Sequence, residues 1–327
     1  MFEIEVDVKV LQGRLAGLLV EGLHPLSGGA SSLSYAATAT IEGAARPVVV
    51  KVAPAGLAPV RNRDVLRQAR LLRALAATAV PVPEVLWEDP GAPPEIPPLF
   101  VMSYVEGTSL EPLFDIDGDD PSDVVAVRMH DAARVLATLH GSDPDGIGLG
   151  GEQRTTTSDE IDRWTRALET VDSALAPDWQ EVAATLRATQ PAPLPPAVLH
   201  GDFRLGNMLA DGDAIAAVID WEIWSLGDPR VDLGWFLVNA DPDTYRRKTP
   251  YAGLLPTPAE LVRTYEQHAG YQVPDLHWFE ALACFKSTAT WSLIVKHARR
   301  RPVPDPLAEE VAGSLPGLLE RARHLLG

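Results

Sequence analysis

Cysteine is nearly absent: Cys284 is the single one in 327 residues. No disulfide can form within the chain, and no cysteine-rich zinc site can be built. Cys284 lies in an apolar helical pattern and reads as a buried structural thiol. Basic residues are outnumbered, with 28 Lys and Arg against 45 Asp and Glu, for a formal charge of −17. Broad nucleic-acid binding needs a basic face and is argued against on that ground. The acid surplus leans instead toward a cationic or neutral small partner. No apolar run reaches membrane-spanning length. The start MFEIEVDVKV has no basic segment ahead of an apolar core, so no signal peptide is expected. No fixed-period repeat is visible. The expectation is a soluble cytoplasmic protein, monomer or homodimer, long enough for two domains or one bilobal one.

The stretch Ala197 to Leu237 organises the rest. It contains His200-Gly201-Asp202-Phe203-Arg204-Leu205-Gly206-Asn207, then a second apolar run that ends at Asp220. His-x-Asp with an Asn downstream is the order of a kinase catalytic loop. Asp211-Gly212 between the two apolar runs is a hairpin signal. With those as the turn residues, Ala210 pairs with Asp213 and Asp220 falls opposite Phe203. The hairpin then gathers Asp202, Asn207 and Asp220 at one open end. In phosphoryl transfer, Asp202 would accept the proton of an acceptor hydroxyl. Asn207 and Asp220 would give hard oxygen ligands to magnesium. Arg204 would offset charge on the transferred group.

HGDFRLGN, followed by VIDWE and GDPRVDL, resembles the aminoglycoside phosphotransferase-like small-molecule kinases. Among these it is most similar to the group that resembles the kinase portion of acyl-CoA dehydrogenase fusion proteins. The resemblance implies an α+β, bilobal, protein-kinase-like fold. Residues 1–105 would form a small antiparallel-sheet lobe and residues 106–327 a larger, mainly helical lobe. It implies ATP, or GTP, with Mg, and a hydroxyl of a small molecule as acceptor. Trp221 stands where protein kinases carry the Phe of Asp-Phe-Gly, and Asp232 is expected to anchor the catalytic loop through backbone hydrogen bonds.

Other segments join this frame. Ser27, Gly28, Gly29, Ser31 and Ser32 form a small-residue loop able to close over phosphates. Lys51 ends the β-branched run Pro47–Val52 and matches the nucleotide lysine of the kinase fold. Residues 64–77 are helical, with Val65, Ala69, Leu72 and Ala76 on one face. On this helix the family carries an acid that holds the strand lysine, whereas here Gln68 stands there. It can accept a hydrogen bond from Lys51 but cannot neutralise it. Tyr104 to Gly107 reads as a hinge whose backbone meets the adenine. Helices are expected over 10–19, 124–140, 160–175, 179–189, 258–270, 277–301 and 307–326, with Gly22 to Pro25 breaking the first.

Several motifs mislead. Asp115 to Asp120 suggests a calcium loop, but Asp120 and Ala126 occupy the positions that need Gly and Glu. Gly146 to Gly151 matches G-x-G-x-x-G without the strand a Rossmann site requires. Arg246-Arg247-Lys248 reads first as a solvated loop, with a contact to an anionic acceptor as the alternative. No Ala-Pro-Glu follows Asp220, which disfavours a protein substrate. A nucleotide-binding protein without transfer activity is the competing class, and Gln68 supports it.

Overall fold

The computed structural model describes residues 8–26, 32–303 and 305–327. The N-terminal part is an antiparallel sheet of β1 (Glu21–Pro25), β2 (Leu33–Ile41), β3 (Ala44–Val52), β4 (Val85–Asp89) and β5 (Leu99–Ser103), in the order β1-β2-β3-β5-β4. Glu42 and Gly43, both at positive φ (52° and 79°), turn β2 into β3, the backbone a two-residue hairpin loop requires. Along β3 the side chains alternate. Val48, Val50 and Val52 are buried with Leu11 of α1 (Val8–Arg14), while Val49 and Lys51 face a cleft. Helix α2 (Val65–Leu75) packs on β4 and β5 through Val65, Ala69 and Leu72, and the Asp64 carboxylate caps it by accepting from Arg67 N at 3.0 Å.

The rest is mainly helical: α3 (Ser122–His140), α4 (Thr157–Leu168), α5 (Trp179–Ala188), α6 (Arg230–Ala240), α7 (Pro258–Ala269), α8 (Leu276–Ala298), α9 (Pro306–Ala312) and α10 (Leu315–Leu326). Between them lie the short strands β6 (Arg154–Thr155), β7 (Ala197–Leu199) and β10 (Ser225–Gly227), and the hairpin β8 (Met208–Asp211) with β9 (Ala214–Val218). Helix α8 is apolar almost all round because α4, α6 and α10 surround it. The architecture is the α+β arrangement expected: antiparallel sheet first, helices after. Among the described residues no helix is long and apolar enough to cross a membrane.

Four local expectations differ. Gly22 to Pro25 is part of strand β1, paired with β2, where only a helix break was expected; α1 already ends at Arg14, followed by a 3-10 turn at Ala16–Leu18. Ala76 is exposed beyond the end of α2, and buried Gln68, Leu71 and Leu75 widen its inner face. Helix α4 stops at Leu168, where Thr170 Oγ1 bonds the Ala167 carbonyl and Asp172 accepts from Ala174 N. Such local side-chain bonds compete with the helix ladder. The final helix is two, because Pro316 has no N–H to continue the ladder of α9.

Candidate active site

The hairpin forms, but its register differs from the expected one. Asp211 pairs with Ala214, so Gly212 and Asp213 are the turn residues, and an irregularity follows between Leu209 and Ala210. Gly212 adopts a positive φ of 61° there. The shift moves Asp220 away from Phe203 and toward Asn207: the Asn207 carbonyl accepts from Ile219 N at 2.9 Å. Asp220 itself holds a left-handed backbone, φ 65° and ψ 49°, which is uncommon outside glycine and a mark of functional sites.

The loop between β7 and β8 is tied together from several directions. Asp232, fully buried on α6, accepts from His200 N at 2.6 Å and Gly201 N at 2.9 Å. The backbone anchoring implied by the resemblance is present. Burial pushes the Asp232 carboxyl up, but His140, His200 and Lys286 together bring it below the usual carboxylate range. His140 Nε2 stands 3.8 Å from the Asp232 carboxylate. His200 donates from Nε2 to the Ile219 carbonyl at 2.8 Å and accepts Asp202 N at 3.2 Å, joining the loop to the strand that carries Asp220. Gly201 has φ 87°, and a Cβ there would meet the Ile223 carbonyl at 2.8 Å.

Asp202 is partly exposed, and both its oxygens are engaged. Oδ1 accepts from Trp235 Nε1 at 2.8 Å, and Oδ2 accepts from Asn207 Nδ2 at 2.9 Å and Arg204 Nε at 3.3 Å. Arg204 also pairs with Glu111 at 2.8 Å. Desolvation lowers the basicity of Arg204, and the charges of Asp202 and Glu111 more than restore it. Burial pushes the Glu111 carboxyl up, and its Oε1 has no partner among the described residues.

A cleft of about 520 Å³ opens between this loop and the sheet, with Lys51, Arg204, Asn207 and Asp220 in its lining. Lys51 Nζ stands 3.6 Å from Asp220 Oδ1. Tyr104, 44% exposed, lines the outer end. Gly107 lies beside it at φ 154°, close under Ala210, where a Cβ would meet the carbonyl at 2.9 Å. Gln68 is buried next to Lys51 in a small side cavity, and its Nε2 donates to the Asn62 carbonyl at 3.5 Å. Ser32 is buried, with no hydrogen-bond partner for Oγ among the described residues. Ser27, Gly28, Gly29 and Ser31 lie outside the described residues.

Three contributors escaped the sequence reading. Trp235 and Glu111 show their roles only through contacts distant in sequence. Lys286 carried a signal, a lone lysine within the apolar Leu282–Ala289 run. It is buried, bonds the Gly201 carbonyl and sits 4.0 Å over the Trp235 ring. Desolvation pulls its pKa down against the charges of Glu160, Asp202 and Asp232. In contrast, Arg247 is no solvated loop residue. It lies over Phe114, donates to the Leu113 and Phe114 carbonyls and pairs with Glu310. Asp120 pairs with Arg128.

The donor set suits a divalent ion bridging phosphates. Asn207 spends Nδ2 on Asp202 and keeps its oxygen, while Asp220 contributes a carboxylate to the same cleft. Among the described residues no group of three or more His, Cys, Asp or Glu could hold a metal alone. An ion here would complete its shell with phosphate oxygens and water, as magnesium does.

Comparisons agree with this fold. A candidate aminoglycoside phosphotransferase from Ralstonia eutropha superposes with a TM-score of 0.76 at 22% identity, covering 98% of each chain. Aminoglycoside phosphotransferase APH(4)-Ia, in ternary complex with ADP and hygromycin B, gives 0.62 at 18% identity over 96% of this chain and 97% of that one. In sequence, mouse acyl-CoA dehydrogenase family member 10 is 25% identical over 267 residues, 77% of this chain and 25% of that protein. The probable acyl-CoA dehydrogenase IBR3 of Arabidopsis thaliana is 28% identical over 258 residues, 69% and 30% respectively. The chain thus spans a quarter to a third of the length of these relatives. Residues 22–282 match the phosphotransferase enzyme family, and the chain belongs to that family.

Proposed function

We propose that the chain transfers the γ-phosphoryl group of ATP, or GTP, to a hydroxyl of a small molecule. The observation that carries the reading is that Lys51, Asn207 and Asp220 line one cleft while Asp202 is hydrogen-bonded to Asn207 beside it. The nucleotide would lie between residues 1–105 and 106–327, acting as two lobes. Val49, Met102, Leu209 and Ile219 offer apolar walls to the base, with Tyr104 and Val105 at its edge. Lys51 meets the phosphates. Asn207 and Asp220 would hold magnesium, whose charge would offset that of the phosphates.

Asp202 aligns the acceptor hydroxyl and takes its proton as the new O–P bond forms. The bond from the γ-phosphorus to the bridging oxygen breaks, and ADP leaves with that oxygen. Arg204 sits where charge on the transferred group can be offset. Trp235 and Asn207 fix the Asp202 carboxylate beforehand, so little reorganisation accompanies transfer.

The second reading is a nucleotide-binding protein with little transfer. Gln68 favours it, because Asp220, at 3.6 Å, is then the carboxylate left to orient Lys51. ADP release with a panel of hydroxyl compounds separates the two. The transfer reading expects stimulated turnover that Asp202→Ala lowers by about 10³-fold while nucleotide affinity stays. Equal turnover in both proteins would establish the second reading.

A further inference from the structure

A second cleft, about 530 Å³ in volume, lies beyond Asp220 and is lined by Arg61, Arg67, Arg154, Arg163 and Arg166. On a chain of net charge −17, this is an unusual concentration of arginine. Arg67 is committed: it pairs with Glu152 and lies 3.8 Å over the Trp224 ring. Arg163 lies 4.7 Å over the Trp164 ring; it, Arg61, Arg154 and Arg166 form no ion pair among the described residues. The carboxylates in the lining are largely engaged. Glu152 holds Arg67 and Arg70, Asp159 accepts from Thr156 at the start of α4, and Glu160 accepts from Trp164 Nε1. Glu222 completes the set, so the lining holds five arginines against four carboxylates.

The position links this cleft to transfer. Asp220 lines the first cleft and Glu222 to Ser225 line the second, so one short segment borders both. The Ile223 carbonyl packs against Gly201. From the other wall, the Trp164 ring lies 5.7 Å from Lys286 Nζ, which bonds the Gly201 carbonyl. Both walls therefore abut the loop that presents Asp202. The volume suits a small molecule, and arginine forks match carboxylate and phosphate oxygens.

We propose that the second cleft receives the acceptor, and that the acceptor bears a carboxylate or phosphate beside its reacting hydroxyl. This rests on the phosphotransfer reading above, and it reverses the lean toward a cationic acceptor that net charge alone suggested. Bulk charge describes the whole surface; the arginines describe one cavity in it.

The test uses the full chain with AMP-PNP, titrated with glycerol 3-phosphate, 3-hydroxybutyrate, glycerol and choline, and followed by calorimetry and tryptophan fluorescence. The anions should bind and the others should not, and the two anions separate a phosphate site from a carboxylate site. The double variant Arg163→Gln/Arg166→Gln should weaken anion binding about tenfold, with AMP-PNP affinity and melting temperature kept. Arg163→Lys/Arg166→Lys should retain most of the binding. Failure of both anions to bind, or an unchanged affinity in the Gln variant, overturns the proposal. ADP release from ATP is measured in parallel. Turnover driven by choline, with the arginine variants fully active, keeps phosphotransfer and removes the anionic acceptor. Anion binding that the arginines control, with no ADP release for any compound, preserves the anion site and removes the transfer reading, and with it the acceptor role.

Discussion

The catalytic-loop wall of the first cleft is held from behind at several points, whereas the Lys51 side chain opposite, on a strand fixed in the sheet, has one long ion pair among the described residues. Behind the loop, Asp232 fixes two backbone N–H groups, Lys286 fixes the Gly201 carbonyl, and Trp235 fixes the Asp202 carboxylate. Across the cleft, Lys51 has Asp220 at 3.6 Å, and Gln68 turns to the Asn62 carbonyl. A loop fastened before any ligand arrives is preorganised for transition-state charge. A lysine held by a single carboxylate adjusts when phosphates enter. On the transfer reading proposed above, a fixed loop would serve chemistry and an adjustable Lys51 side chain the nucleotide.

The comparison breaks most sharply at Asp232. In Asp232→Ala, two buried N–H groups lose their acceptor, and the expected cost is about 3 kcal/mol or more of stability, with transfer abolished. Urea denaturation and ADP release check this. The lowered Asp232 pKa also carries a pH signature. A carboxyl with a depressed folded-state value stabilises the fold above its unfolded value, and that stability disappears as pH falls through the folded one. Wild type should lose this contribution at acid pH, below the usual carboxylate range, and Asp232→Asn should flatten that limb. An identical acid limb in both proteins would detach the anchor from Asp232.

Lys286 gives a smaller effect on the same wall. Lys286→Met keeps the length and apolar packing but removes the donor to Gly201 and the cation over Trp235. Transfer should fall about tenfold through kcat, with the KM for nucleotide nearly unchanged because Lys286 lies behind the loop. Lys286→Arg should recover part of the loss. A change confined to the KM for nucleotide would place Lys286 in the wrong functional wall.

The sequence made these two walls legible to different degrees. Asp202, Asn207, Asp220 and Lys51 could be singled out because each sits at a fixed offset from an apolar run that becomes a strand. Asp232 came from resemblance, and the geometry supplies its reason in the His200 and Gly201 N–H groups. The hairpin could be placed but not its register: an irregularity between Leu209 and Ala210 shifted the pairing, and no local composition marks it. Trp235, Glu111 and the arginine-lined cleft depend on segments that meet only after α4, α6 and α8 pack. Net charge, as a total over the chain, contains no positions and could not have pointed to that cleft.

The finest test concerns the lysine wall itself. Gln68→Glu would return a carboxylate beside Lys51 in the small cavity the two share. The new acid would compete with Asp220 for the ammonium and free Asp220 for the metal. The expected outcome is a fall in the KM for magnesium nucleotide of about threefold, near 0.7 kcal/mol, without a large change in kcat. Lys51→Met should erase that gain, so the two substitutions should be non-additive in a double-mutant cycle. Kinetics at varied ATP for the four proteins measure the coupling directly. Additive effects would mean that Gln68 does not act on Lys51, and that the compliance of this wall comes from the single Asp220 pair alone.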